Sequence, residues 1–263
     1  MNPTASEQPL PAVSPPAVPP EPVILRDELG RTYEFPPECI PNVDDLVLED
    51  RKAVENIFVE RQYRLLTEPL YSSWRPSPAG RSFLAVANVG LFFQMKEPAL
   101  VPDAMLSLDV KAGDPSRREN LSYLLWVMGK PPDVVIEIVS DRRGGEETHK
   151  LRSYARLGIP YYVIFDYQDL LGGGVLRAFG LREGNYQPVA ANWLPAVGLG
   201  LMLWPGTYQD LQGTWLRWGD ESGQPIPTGQ ERAEQERQRA EQEHQRAERF
   251  LQQLRDAGIE PSA

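Results

Sequence analysis

The stretch from Pro131 to Asp166 constrains the fold of this chain more than any other part of the sequence. Its first strand carries two acids on one face, Asp133 and Glu137, and Lys150 follows on a helix. A strand, a helix and a strand in this spacing favour two parallel strands joined by a right-handed crossover. The apolar runs and turn residues place these elements over 132–140, 146–157 and 161–166.

Length and composition bound the class of protein. A chain of 263 residues with 41% hydrophobic residues is long enough for one sizeable α/β domain with tails, or for two small domains. The formal net charge of -10 argues against general electrostatic capture of nucleic acid, although it leaves room for a local basic site.

The scarcity of cysteine and histidine limits the kinds of metal site. One cysteine, Cys39, excludes an intramolecular disulfide and a cysteine-based zinc finger, and the two histidines, His149 and His244, exclude a multi-histidine site. A metal ion would therefore be held by oxygen, which favours magnesium, calcium or manganese. The sequence contains neither an apolar run of membrane-spanning length nor a signal-peptide pattern, so we expect a cytoplasmic protein.

The composition changes along the chain predict three regions. Residues 1–22 hold eight prolines and are expected to be a disordered arm. Residues 23–229 are expected to form the folded domain, and residues 230–263 a charged C-terminal helix. In this helix Ala233, Ala240 and Ala247 recur every seven residues among Glu, Gln and Arg, which favours a solvated helix over a strong coiled coil. His244 is expected at its surface.

The other apolar patterns predict the elements of the folded domain. A helix over 50–67 is expected to begin at Asp50, and Glu60 on it is expected to be solvated. Trp215 and Trp218 are expected to cover the edge of the core. Further predicted elements are a hairpin over 23–35, a loop over 69–78, a strand over 83–89 that is buried on both faces, a strand over 101–110, and strands within 172–204.

The two acid-bearing strands predict where carboxylates meet. If 101–110 and 132–139 pair antiparallel, Asp103 lies beside Glu137, and Asp133 lies near Asp109 at the opposite end. Asp133 and Glu137 share a face but lie roughly 13 Å apart, so they cannot hold one metal ion. The cross-strand pair of Asp103 and Glu137 is therefore the better metal-binding candidate.

The chemistry of this pair depends on a nearby lysine. Two carboxylates can hold Mg²⁺, and a lysine can neutralise charge that develops on a phosphate. The alternative interpretation is that Asp103 and Glu137 are strand-edge acids and that Lys150 is a surface residue. An acid inside the apolar run VVIEIV favours a functional role, because burial of an unpaired carboxylate is costly.

The runs VPDAMLSLD, PPDVVIEIVS and KLRSYARLGIPYYVIFD resemble the Uma-type restriction endonuclease family of the PD-(D/E)XK nuclease superfamily. The resemblance covers roughly residues 50–220. It implies a restriction endonuclease-like α/β core, in which a mixed β-sheet is flanked by helices. It further implies that Asp103 is the motif aspartate, that Glu137 is the motif acid, and that Ile138 offers its backbone carbonyl to the metal.

The sequence departs from the superfamily motif at one position. Val139 stands where the motif has lysine, and the resemblance suggests that Lys150 supplies this charge from the helix, while Asp133 is structural. The expected function is a DNA endonuclease that uses Mg²⁺, or Mn²⁺ in its place, and that is compatible with a homodimer. The alternative is an inactive nuclease-like scaffold that associates with partners, with the tail helix pairing with a partner helix.

Overall fold

The computed structural model describes residues 23–26, 32–35, 56–94, 98–140 and 149–257. The chain forms two compact units, residues 1–54 and residues 55–263. In the first unit, β1 (Val23–Arg26) and β2 (Thr32–Phe35) form an antiparallel hairpin, as predicted. The arm over 1–22 lies outside the described residues.

The second unit is built around a six-stranded mixed sheet with the strand order β10-β9-β8-β7-β5-β3. The neighbours β7 and β8 are parallel, as the sequence predicted, and the other pairs in this sheet are antiparallel. In chain order the elements are α1 (Ile57–Ser73), β3 (Phe83–Ala87), β4 (Leu91–Phe92), β5 (Ala104–Leu108), β6 (Tyr123–Leu124), α2 (Leu125–Met128), β7 (Val134–Ile138), α3 (Leu151–Arg156), β8 (Tyr161–Phe165), β9 (Leu176–Arg182), β10 (Asn185–Val189), β11 (Gly200–Tyr208), β12 (Leu211–Gly219) and α4 (Gly229–Asp256).

Each face of the sheet carries its own apolar layer, because alternate residues of a strand point to opposite faces. Ile136 and Leu106 lie on the first face, where they pack with Leu66 of α1 and Leu216 of β12. The second face carries Val135 and Met105 with Tyr154 of α3, together with the side chains of the segment that contains β6 and α2. The neighbouring strands β5 and β7 are consequently buried along their whole length.

Helix α1 differs from its predicted bounds at both ends, and the predicted start at Asp50 is wrong because the helix begins at Ile57. Its N-cap is Asn56, whose side chain accepts a hydrogen bond from the Val59 backbone at 2.9 Å. The predicted end at Thr67 and the loop from Pro69 are wrong, because the helix continues through Pro69 to Ser73. Burial of Leu70 in the core offsets the hydrogen bond that Pro69 cannot donate.

Two of the predicted strands are too long. Each ends before a residue with a left-handed backbone, and β5 also begins at Ala104 rather than at residue 101. Asn88 has φ 53° and ends β3, and Asp109 has φ 63° and ends β5. The prediction that the 83–89 segment is covered on both faces is confirmed, because Ala85 packs in the apolar layer of the first face and Leu84 in that of the second, while the other residues of β3 are partly exposed. After glycine, Asn and Asp are the residues that adopt a positive φ most readily.

The hairpin of β11 and β12 was only half predicted. Its turn is Gln209-Asp210, with φ 46° and 63°, and the absence of glycine there hides the signal of a two-residue turn. Trp215 and Trp218 do not cover the core edge, because both are strand residues of β12 with 0% and 2% exposure. The ring of Trp215 stacks on Phe58 of α1 with 4.5 Å between centroids.

The C-terminal helix α4 is solvated, as predicted. It begins with a capping box between Thr228 and Glu231, and every one of its residues is at least partly exposed. His244 lies on its surface in an i,i+4 contact with Glu248. Within the described part of the chain, this helix and the others are too short or too polar to cross a membrane.

Candidate functional site

The register of β5 against β7 brings the two candidate carboxylates together. These strands are antiparallel, and the pairing of Ala104 with Ile136 makes Asp103 and Glu137 the next positions of the ladder. The backbone N–H of Ile138 donates a hydrogen bond to Asp103 Oδ2 at 2.7 Å. The antiparallel pairing and the adjacency of these acids are therefore confirmed.

Helix α3 supplies two donors to Glu137, whose side chain is 0% exposed. Lys150, at the N-cap of α3, places Nζ 2.9 Å from Glu137 Oε2. The hydroxyl of Tyr154 donates to Glu137 Oε1 at 2.5 Å. Lys150 and Tyr154 are four residues apart, so they lie on the same face of the helical turn and reach both oxygens of one carboxylate.

The electrostatics of Glu137 follow from its burial. Loss of hydration raises its pKa to about 8, and the nearby charge of Asp103 acts in the same direction against the lowering effect of Lys150 and Tyr154. Burial and the adjacent Glu137 carboxyl raise the pKa of Tyr154 well above its usual value. Tyr154 therefore remains a neutral hydrogen-bond donor at physiological pH.

Asp103 is held by two donors from different elements. The hydroxyl of Tyr63, on α1, donates to Oδ1 at 2.7 Å, while the backbone of Ile138 binds Oδ2. Each of the four oxygens of Asp103 and Glu137 thus accepts a hydrogen bond from the protein. A bound cation would favour the ionised form of Glu137, and an ionised carboxylate offers about four acceptor sites, more than the two hydrogen bonds described for each acid.

The donor set of this pair fits a hard divalent cation. Across residues 56–94, 98–140 and 149–257 there is no cluster of three His, Cys, Asp or Glu side chains that could hold a metal ion. Two carboxylates are nevertheless the complement with which Mg²⁺ is commonly bound, because Mg²⁺ keeps several waters. The two acidic side chains of Asp103 and Glu137 therefore suit Mg²⁺ better than a metal that needs an all-protein cage.

The other candidate acids lie outside this site. Asp133 Oδ2 accepts hydrogen bonds from the Leu108 backbone at 2.7 Å and from Lys130 Nζ at 2.5 Å, which ties β7 to the far end of β5. Asp109, which was expected to lie near Asp133, forms a bidentate ion pair with Arg81. The structural role expected for Asp133 agrees with these contacts.

Glu60 also lies away from the carboxylate pair. It forms an exposed i,i+4 ion pair with Arg64 on the outer face of α1. This contact agrees with the expected solvated position of Glu60.

Sequence reasoning missed both tyrosines that bind the carboxylates. The aromatic side chain of Tyr154 is typical of a core residue, although its spacing from Lys150 is a local signal that both point the same way. Tyr63 carries no such signal, because it is 40 positions before Asp103 and reaches it only through packing of α1 on the sheet. The role of Ile138 as a carbonyl ligand stays a prediction.

Comparison with known proteins identifies the family to which this geometry belongs. A search of curated proteins and a search of solved structures gave no match. The family profile of Uma2, described as "Putative restriction endonuclease", matches residues 57–204, which include every strand of the central sheet, the two carboxylates and the three side chains that bind them. The chain therefore belongs to the Uma2 restriction endonuclease family, and its mixed sheet with flanking helices is a restriction endonuclease-like fold.

Proposed function

We propose that the protein is a divalent-metal-dependent DNA endonuclease that hydrolyses phosphodiester bonds. The observation that carries the proposal is Glu137, a fully buried carboxylate that lies beside Asp103 and is paired with Lys150. Asp103, Glu137 and the backbone carbonyl of Ile138 would hold Mg²⁺, and Mn²⁺ would serve in its place. The folded nuclease domain is assigned to residues 23–229, with residues 230–263 as a separate helical tail.

The residues of the site divide into ligands and a substrate-facing cation. A bound divalent cation supplies Lewis-acid stabilisation of the negative charge on a phosphodiester. Lys150 has 28% of its side chain exposed while Glu137 has none, so Lys150 can meet a phosphate oxygen that Glu137 cannot reach. Its ammonium group would neutralise charge that develops at that phosphate.

Burial explains why the lysine is not at the usual motif position. Val139 is 0% exposed and packs in the apolar layer beside Val135 and Tyr162. A lysine at this position would have to bury its charge among apolar side chains, which is unfavourable. Lys150 reaches the same carboxylate from the more exposed helix, which supports the migrated position of the motif lysine.

A plasmid-nicking assay tests the proposal. The native chain should nick supercoiled DNA with Mg²⁺ or Mn²⁺ and stop when EDTA is added, and Asp103→Asn and Glu137→Gln should abolish nicking. Asp109→Asn is the matched control, because it removes the same charge from the other end of β5 and Asn tolerates the φ of 63°. Equal nicking by all three variants, or no nicking by the native chain, would contradict the proposal.

A second candidate function is association through the tail helix of an inactive nuclease-like scaffold. The last turns of α4 expose Phe250 by 59% and Leu251 by 37%, an apolar pair on an otherwise charged helix. Such a face can pair with a partner helix or with the tail of a second copy. Sedimentation of the native chain and of Phe250→Glu shows whether the tail pairs with the tail of a second copy. A native chain that self-associates through Phe250 but never nicks DNA would favour the scaffold.

A further inference from the structure

We infer that Tyr63 and Tyr154 are positioning residues that hold the Asp103 and Glu137 carboxylates in place for a divalent cation, an inference that rests on the proposed function. Each tyrosine donates its hydroxyl to one oxygen of one acid, at 2.7 Å from Tyr63 to Asp103 and at 2.5 Å from Tyr154 to Glu137. The two donors approach from opposite layers of the fold, one from α1 and one from α3.

The chemistry of a phenol suits this task better than that of a cation. Two carboxylates that share a site repel each other, and donors that bind them relieve the repulsion. A lysine or arginine in this position would add positive charge that competes with the incoming metal ion, whereas a tyrosine hydroxyl is neutral. The two hydroxyls can therefore fix the orientation of the acids without placing a further positive charge beside the cation.

The side chain of Tyr154 is held rigidly enough to impose this orientation. It is 0% exposed and its ring lies 5.3 Å from the ring of Tyr162, centroid to centroid. Tyr63 extends from α1, whose buried residues anchor it on the opposite face of the sheet. Because both rings are packed, removal of a hydroxyl should leave the fold intact while releasing one carboxylate.

Two other tyrosines serve as matched controls for the loss of a phenol oxygen. Tyr71, two turns after Tyr63 on α1, donates its hydroxyl to the Ala85 carbonyl at 3.1 Å. Tyr186 packs on the ring of Tyr162 and donates to the Ile159 carbonyl at 2.8 Å. Each loses the same atom when changed to Phe, but its hydroxyl donates to a backbone carbonyl instead of a carboxylate.

The test measures Mn²⁺ binding to the full chain without DNA, by electron paramagnetic resonance of the free ion. Loss of groups that orient metal ligands typically weakens metal affinity by roughly 10–100-fold, and we expect this range for Tyr63→Phe and for Tyr154→Phe. Tyr71→Phe and Tyr186→Phe should bind Mn²⁺ as the native chain does. The nicking rate of Tyr63→Phe and Tyr154→Phe should recover at high Mn²⁺, because these residues act through the metal ligands.

The outcomes separate this inference from the proposed function. If the native chain binds Mn²⁺ and nicks DNA but both site variants keep native affinity, the tyrosines are structural and the inference is wrong while the nuclease stands. If the native chain does not bind Mn²⁺, the inference about the tyrosines and the proposed metal-dependent function are both wrong. If Tyr154→Phe does not fold, Tyr63→Phe still decides, because its hydroxyl is nearer the surface on a different helix.

Discussion

Lys150 and Glu137 form an ion pair that joins the start of α3 to the buried strand β7, with 2.9 Å between Nζ and Oε2. The partners are 13 positions apart in the chain, and the parallel crossover from β7 to β8 brings them together. Glu137 is fully buried, whereas Lys150 is partly exposed, so the pair has one end in the core and one end at the surface. This arrangement gives Lys150 two separable effects, on the acid and on a bound phosphate.

Replacement of Lys150 separates these two effects. We expect Lys150→Met to lower the nicking rate by about 100-fold or more, the usual effect of removing one group that stabilises transition-state charge. Mn²⁺ affinity should stay equal or rise, because the ammonium competes with the cation for Glu137. Single-turnover nicking and Mn²⁺ titration measure the two quantities.

Lys111→Met is the control for the Lys150 prediction. Lys111 is an exposed lysine on the loop after β5, so its replacement removes the same charge from outside the site. Native nicking by Lys150→Met would show that Lys150 is only a counterion of Glu137.

Gln62 joins α1 to the β11–β12 hairpin through a pair of buried hydrogen bonds. Its amide donates to the Leu216 carbonyl at 2.8 Å and accepts from the Leu216 N–H at 2.9 Å. Gln62→Leu leaves two buried backbone groups without partners, so we expect the free energy of unfolding to fall by roughly 2–4 kcal/mol. Urea unfolding checks this value, and Gln245→Leu on the exposed face of α4 should change it by less than about 0.5 kcal/mol.

The contrast between Glu137 and Gln62 shows which parts of the molecule the sequence could predict. Glu137 stands in an apolar run, and its strand, helix and strand are consecutive, so local patterns place it near Lys150. Its position across from Asp103 follows once the strands over 101–110 and 132–139 are assumed to pair antiparallel. Gln62 pairs with a strand more than 150 positions away, and no local pattern reports such a contact. The same limit applies to Tyr63, which reaches Asp103 only through packing of α1.

Strand and helix ends were the least predictable feature for a related reason. Asn88 and Asp109 end their strands by adopting positive φ, a choice that depends on the turn that follows rather than on hydrophobic alternation. Pro69 was expected to stop α1, but tertiary burial of the next turn outweighs its local preference. The central strands were predictable because their burial and their composition agree.

The attachment of the tail helix should depend on pH through Glu231. Burial raises the pKa of Glu231, but the hydrogen bonds from Arg217 and the Thr228 backbone outweigh this, so the net pKa lies below its usual 4.5. A lowered pKa in the folded state stabilises the protein above pH 4.5, and the stabilisation is lost as the pH falls through the lowered pKa.

The melting temperatures of the native chain and of Glu231→Gln measure this dependence. We expect the native chain to have a higher melting temperature than Glu231→Gln at pH 6–7. The difference between the two melting temperatures should shrink as the pH falls below 4.5, the pKa of a free glutamate. A difference that stays constant from pH 7 to pH 3 would show that the charge of Glu231 does not hold the tail.

The point at which the tail is removed should decide whether the core keeps its stability. Arg217 is 3% exposed and donates to Glu231 at 2.6 and 2.9 Å, so a chain that ends before residue 230 leaves a buried guanidinium without its acid. Deletion of 234–263 retains this pair and the capping box. We expect both truncated chains to fold, with the 230–263 deletion less stable by roughly 2 kcal/mol, the scale of a hydrogen bond to a charged group.

Urea unfolding compares the free energies of unfolding of the two truncated chains. Equal stability would mean that Arg217 is hydrated once the tail is gone. Loss of cooperative unfolding in both chains would place α4 inside the folded domain.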